Sequence, residues 1–246
     1  MEERTISTKP LGGKAYGSIP HLLGSKLGEG DHHIHEGQHR ICTEKTRDKH
    51  DLIIVQEKYD GSNVCVAKID GTILALTRRG YMADSSPFEQ HHVFAKWVHK
   101  ERHRFNDLLM DGDKVCGEWL LQAHGLEYEI RNEPFVVFDY FCEKERLKFG
   151  DLVQKVQEYD FSTPRPLFIG HASCDIEYAL SIVCDTAMNW IKAIGIPEGL
   201  IYRVERNGKL DFIAKYVRAD FITGAFLPEI SGRPEVWNFD IEKLLS

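Results

Sequence analysis

The apolar run Leu52-Ile53-Ile54-Val55 ends in Lys58-Tyr59-Asp60-Gly61, and this junction constrains the fold more than any other stretch. Four apolar residues bounded by a glycine turn read as a buried strand over 51–57. The next apolar run, Val64-Cys65-Val66-Ala67, continues to Ile69, and Thr72-Ile73-Leu74-Ala75-Leu76 follows. Asp70-Gly71 between them is a two-residue hairpin signal, because both residues tolerate the left-handed backbone such a turn needs. The chain therefore enters an antiparallel meander with Lys58 at its head. A lysine leaving a buried strand for a tight Asp-Gly turn is aimed inward and suits a nucleophile.

The rest of the pattern is mixed. Residues 1–50 carry Gly, His and charge with little periodicity and read as extended chain and turns. Residues 87–110 read as one long helix. Ser86 is its expected N-cap, Glu89 completes a capping box, and Phe94, Trp97, Val98, Phe105, Leu108 and Leu109 share a face. Strands are expected over 114–121 and 135–141. A partly helical stretch over 143–158 has Gly150 as an interruption, and Pro164 and Pro166 mark a loop. A helix is expected over 176–193, and a hairpin over 199–205 and 210–217 turns at Asn207-Gly208. Strands and helices segregate instead of alternating, which favours an α+β fold of antiparallel sheets flanked by helices.

With 246 residues, 42% of them hydrophobic, the chain supports one sizeable core. A net charge of −7 argues against a general basic field for nucleic acid, so any such binding must use local cations. The six cysteines are scattered without a Cys-x-x-Cys pair, and neither a membrane-length apolar run nor a signal peptide is present; the expected location is cytoplasmic.

Lys58-Tyr59-Asp60-Gly61 heads an ordered series: Thr77-Arg78-Arg79-Gly80, Cys116-Gly117-Glu118-Trp119, Val137-Phe138-Asp139, Glu198-Gly199-Leu200-Ile201 and Ile213-Ala214-Lys215. Over roughly residues 50 to 218 that order resembles the covalent nucleotidyltransferases: ATP-dependent RNA and DNA ligases and mRNA capping enzymes. The resemblance implies that Lys58 becomes linked to AMP. It places nucleotide contacts on Glu57, Lys58, Arg78, Glu118, Phe138 and Lys215. Glu118 would accept a ribose hydroxyl, Phe138 would stack on adenine with Phe135 as the alternative, and Lys215 would grip the α-phosphate. Glu198 would help hold magnesium or manganese. Family members commonly carry Lys-x-Lys at the last motif, whereas here Ile213 precedes Lys215, leaving Arg218 or Lys209 as candidate substitutes.

The chemistry is consistent with those assignments. A lysine nucleophile must be neutral, and desolvation with nearby cations lowers its ordinary pKa of about 10.4. Arg78, Lys215 and a metal ion would supply that charge and balance the departing pyrophosphate. Residues 216–246 are too few for the OB-fold barrel that DNA ligases and capping enzymes append. The expectation is a single nucleotidyltransferase domain over 1–246, with an N-terminal extension (1–50), a motif-bearing core (51–218) and a tail (219–246). It is most similar to the phage RNA ligase 2-like branch. The implied activity joins a 5′-phosphate RNA end to a 3′-hydroxyl end, with ATP and magnesium as cofactors and an end-healing or docking protein as a candidate partner. Minimal DNA ligase, capping guanylyltransferase and a non-catalytic nucleotide-binding domain are the alternatives.

Two clusters stand outside the series. Asp31-His32-His33-Ile34-His35-Glu36 suits a transition metal, a phosphate of the substrate strand or an exposed turn. Lys96, Lys100, Arg102 and Arg104 suit either a nucleic-acid backbone or a solvated helix face.

Overall fold

The computed structural model describes residues 8–183 and 191–246. In chain order the elements are α1 (Glu36–Thr43), β1 (Asp51–Lys58), β2 (Ser62–Ile69), β3 (Thr72–Thr77), α2 (Glu89–Lys100), α3 (Arg102–Leu108), β4 (Lys114–Trp119), β5 (Glu127–Ile130), β6 (Phe135–Cys142), β7 (Glu145–Arg146), α4 (Phe149–Gln157), β8 (Pro166–Gly170), α5 (Ile176–Val183), β9 (Ile191–Ile194), β10 (Gly199–Arg206), β11 (Lys209–Val217), α6 (Pro228–Ser231) and α7 (Ile241–Leu245).

The strands form two main sheets, in the orders β11-β10-β1-β8 and β3-β2-β4-β6-β7, with β5 and β9 paired separately. The registered neighbours run antiparallel. The hairpin signals act as expected. Asp70 and Gly71 have φ of 49° and 72°, Asn207 and Gly208 have 51° and 75°, and each pair lies in the left-handed region that closes a two-residue turn. The α+β class with antiparallel sheets and flanking helices is thus the observed one.

Helices α2 and α3 cover the outer face of the five-stranded sheet. Phe94, Trp97 and Phe105 from the helices meet Trp119 from β4 and Phe135 from β6 in one buried aromatic cluster. The four-stranded sheet has its own core, in which Ile53, Val55, Tyr202 and Val204 meet Leu22, Cys42 and Ala179.

Several sequence expectations change. The long helix breaks at Glu101, whose ψ of 11° leaves the helical region, so 87–110 is two helices. Its capping box does not form: α2 starts after Phe88, and the Ser86 hydroxyl instead pairs with His91 Nδ1 at 2.7 Å. Gly150 lies inside α4 and interrupts nothing, and Pro166 opens β8. The helix expected over 176–193 ends at Val183 among the described residues; 184–190 lie outside them, and Ile191–Ile194 is a strand on β5. Residues 1–50 include α1, whose N-cap is the imidazole of His35.

Two of the four helix cations, Lys100 and Arg104, have structural partners. Arg104 makes a two-pronged pair with Glu133 at 2.8 and 3.1 Å, donates to the carbonyls of Tyr159 and Asp160, and lies 4.0 Å from the centre of the Phe161 ring. Lys100 donates to the Leu244 carbonyl at 3.0 Å and ties α2 to α7. Neither side chain is free to track a phosphate backbone. Arg104→Ala should leave the Glu133 carboxylate without its cation, and breaking a largely desolvated pair costs about 3 kcal/mol. Urea unfolding should show that loss; a midpoint equal to the wild type would mean the fork carries no stability.

Candidate active site

β1 belongs to the four-stranded sheet and β2 to the five-stranded one, so Tyr59-Asp60-Gly61 carries the chain across from sheet to sheet. Lys58 stands at that crossing, on a cavity of about 900 Å³ between the two sheets. The crossing is pinned at several points. The Asp60 amide donates to Tyr128 Oη at 2.8 Å, and Asp60 Oδ2 accepts from the Gly125 amide. The Gly61 amide donates to Glu118 Oε1 at 3.1 Å. A β-carbon at Gly61 would lie 2.6 Å from the Trp119 carbonyl oxygen; one at Gly199, directly opposite Lys58, would lie 1.8 Å from that of Tyr216. Glycine at both positions is therefore a packing requirement of the site.

Lys58 Nζ is ion-paired with Glu198 and donates to the Tyr59 carbonyl at 3.3 Å. Burial pulls the Lys58 pKa down, but Glu198, Glu118 and Asp60 outweigh it and hold the pKa above its ordinary value. This reverses the sequence-based expectation of a lowered pKa: the carboxylates around the lysine keep it an ammonium. Burial pushes Glu118 up to about 8, helped by Asp60 and Glu198 and opposed by Lys58 and the Gly61 amide. Burial likewise raises Glu198, against the pull of Lys58. The group behaves as a shared set of charges, which one bound cation or one lost proton re-sorts.

Six of the seven expected site residues, Glu57, Lys58, Arg78, Glu118, Phe138 and Lys215, line this cavity. Glu198, buried behind it, reaches it through Lys58. Phe138 owes its aim to a β-bulge: Cys116 pairs with Asp139 and Gly117 with Val137, leaving Phe138 as the extra residue of β6. Tyr16 packs edge-on against its ring at 5.1 Å. Phe135 is fully buried in the aromatic core and offers no face to the cavity, which removes it as the alternative stacker. Arg78 bonds the Gly17 carbonyl and Ser18 Oγ, each at 3.2 Å, and Arg79 lines the same mouth.

Neither candidate for a second lysine stands in the cavity. Arg218 is held by the Ile196 and Pro197 carbonyls and Asp220, and Lys209 lies at the far end of β11. The cation opposite Ile213 in register is Arg203, which lines the cavity but pairs with Asp139 and Glu205 at 2.8 Å each. No three His, Cys, Asp or Glu side chains among the described residues form a ready-made metal cage, so the His32-His33-His35 segment is no such centre. A single carboxylate such as Glu198 still fits magnesium, which takes few protein ligands and keeps waters and phosphate oxygens.

A family model for RNA ligase matches residues 51–217, more than half of the chain. The chain belongs to the RNA ligase family. Solved structures similar to this RNA ligase family member include a putative ATP-dependent DNA ligase from Aquifex aeolicus, with a TM-score of 0.50 and 17% identity, covering 82% of this chain and 49% of that one. An archaeal ATP-dependent RNA ligase matches at 20% identity and TM-score 0.42, over 68% of this chain and 43% of that one. A Naegleria gruberi RNA ligase mutant with ATP and Mn matches at 14% identity and TM-score 0.47, over 81% and 59%. The chain thus spans about half the length of the structures it matches. No curated protein matches it. Among the described residues no helix is long and apolar enough to cross a membrane.

The motifs left out Asn63, which the family member places directly opposite Glu118 on the cavity wall, with its side-chain oxygen buried and without a hydrogen-bond partner. Strand pairing is the signal that would have found it. Glu57 Oε1 is in the same condition. Burial pushes the Glu57 pKa up to about 7. The native state then keeps a proton that the unfolded chain releases in the ordinary carboxylate range, so this contribution is full below that range and lost as pH rises to about 7. Glu57→Gln should therefore flatten the pH dependence of unfolding and stabilise the protein at pH 8 by on the order of 2 kcal/mol. Parallel wild-type and mutant curves from pH 5 to 8 would contradict this.

Proposed function

We propose that this chain is an ATP-dependent RNA ligase working through a lysyl-AMP intermediate. The observation that carries the reading is Lys58, paired with Glu198 at the crossing between two sheets and opening on a cavity lined by Glu118, Phe138, Arg78 and Lys215. Lys58 must first lose its proton. Its nitrogen then attacks the α-phosphorus of ATP, the N–P bond forms as the α–β anhydride breaks, and pyrophosphate leaves. Lys215 and Arg78 balance charge on the phosphates. A 5′-phosphate oxygen next takes the AMP, releasing the lysine, and a 3′-hydroxyl displaces AMP to make the phosphodiester.

Once Lys58 is neutral, the buried Glu198 loses its partner, and such a carboxylate suits a divalent cation. Held on Glu198, magnesium or manganese would cancel the negative charge that keeps Lys58 protonated and would oppose charge building on pyrophosphate. Phe138 offers a ring face to the base. Once it has lost its proton, Glu57 supplies an unmatched acceptor, which fits the 6-amino group of adenine and repels the 6-oxo group of guanine. ATP should accordingly outcompete GTP.

RNA would meet the cavity at its mouth, where Arg78 and Arg79 lie near Tyr81 and Phe88, 45% and 47% exposed. Exposed rings beside cations suit a nucleic-acid end, and a stacked base contributes about 1–3 kcal/mol. Changing Arg79 and Phe88 together to alanine should slow sealing about tenfold or more while leaving lysyl-AMP formation within about twofold. Equal losses in both steps would assign the pair to nucleotide binding. Labelling with radioactive ATP, then sealing of matched RNA and DNA nicks, tests the whole reading. Label on Lys58 with preference for an RNA 3′-hydroxyl end supports it, and equal sealing of all-DNA nicks points to a DNA ligase.

A further inference from the structure

We propose that Asp31, oriented by His21, is a positioning residue for Lys215; the inference rests on the ATP-dependent reading above. Both residues lie outside the stretch matched by the family model. Residues 20–22 run beside the edge strand β11 and take up both free backbone groups of Lys215: its amide donates to the Pro20 carbonyl at 3.0 Å, and its carbonyl accepts from Leu22 at 2.8 Å. The chain then turns back. The His21 amide donates to the His32 carbonyl at 2.8 Å and the Ile34 amide to that of His21 at 2.7 Å, which brings Asp31 over the lysine.

The side chains form a second attachment. Asp31 Oδ2 accepts from His21 Nε2 at 2.8 Å and from the Gly28 amide at 3.2 Å, so one oxygen is fixed. Its other oxygen, Oδ1, faces Lys215 Nζ at 3.6 Å. His21, 1% exposed, is itself fixed: Ser25 Oγ donates to Nδ1 at 2.7 Å and accepts from the Val217 amide at 2.8 Å. The serine thus returns the chain of bonds to the strand that carries Lys215. A gap of 3.6 Å is longer than a hydrogen bond, so the carboxylate directs the ammonium and leaves its protons for a phosphate oxygen. Burial and Lys58 draw the Lys215 pKa down, while Asp31 and Glu198 oppose them. Asp31 therefore both aims Lys215 and favours its charged form.

The test is a double-mutant cycle on the full chain. ATP affinity is read by calorimetry and AMP transfer by labelling, for wild type, Asp31→Asn, Lys215→Ala and the double mutant. Asp31→Asn should weaken ATP binding and slow adduct formation, each by about tenfold, because small misplacements of a phosphate-gripping group are costly. Asp31→Asn in the Lys215→Ala background should add no further loss, since Asp31 acts through the lysine. His21→Gln is the second variant and should show a smaller loss that also vanishes in the Lys215→Ala background. Additive losses, or unchanged or tighter ATP binding in Asp31→Asn, would overturn the inference. Coupled ATP binding without any adduct in the wild type would remove the ligase reading and leave this inference standing, whereas a wild type that fails to bind ATP removes both.

Discussion

Lys58→Ala should abolish the covalent AMP adduct while leaving a folded protein. Among the described residues no other lysine stands at the sheet crossing: Lys215, the other lysine lining the cavity, lies on β11 and faces Asp31. Removing a covalent nucleophile takes away a bond that binding cannot replace, so the expected loss is at least about 10⁴-fold. Glu198 and Glu118 are crowded by burial and by each other, and without the lysine they should bind protons more readily, with little change in fold. Intact mass after incubation with ATP and magnesium reads the outcome. An AMP adduct on the Lys58→Ala chain would move the nucleophile elsewhere.

Glu198→Gln should give the second large effect, and it has two separable parts. Loss of the carboxylate removes the metal contact proposed here, which should slow adduct formation by on the order of 10²–10³-fold and blunt its dependence on magnesium. Glu198 is also the largest of the influences holding the Lys58 pKa up, with burial acting against it. Without Glu198, burial has more weight, the lysine loses its proton at lower pH, and the alkaline rise of the residual rate moves to lower pH. A pH profile at several magnesium concentrations separates the parts. Unchanged metal dependence would remove Glu198 as the metal residue; an unmoved profile would mean the ion pair does not govern the lysine. Glu198 is 6% exposed, so it is no open turn residue, and a measurable change in stability accompanies the kinetic one.

The parts of this fold legible in the sequence were those fixed by local chemistry. Asp70-Gly71 and Asn207-Gly208 announce hairpins because their backbone demands are local, and both turns form. The motif residues come together because strand ends deliver them to one cavity, with Lys58 facing Gly199 in register, whereas Asn63, which no motif marks, is found only by its pairing opposite Glu118. What stayed hidden depends on partners distant in sequence. Ser86 looks like a helix cap until His91 claims its hydroxyl. Arg104 looks like a surface cation until Glu133 and two carbonyls surround it. Ile191–Ile194 follows a helical stretch and becomes a strand only because β5 offers it an edge. Helix α1 escapes a periodicity search because Cys42 is its one buried residue and an imidazole its cap. The raised pKa of Lys58 could not be foreseen from cations counted along the chain, since three carboxylates from three segments converge on it. Asp31 escaped for the same reason, lying in a histidine-rich turn whose purpose is visible only where it folds over Lys215.

The central claim is that Lys58 is a nucleophile toward ATP. Mass spectrometry of the wild-type chain after incubation with ATP and magnesium, followed by peptide mapping, tests it most directly. One AMP per chain, attached to Lys58 through an acid-labile bond and removed by added pyrophosphate, is the predicted result. An unmodified chain under conditions where ATP is bound, or AMP mapped to any other residue, would contradict it.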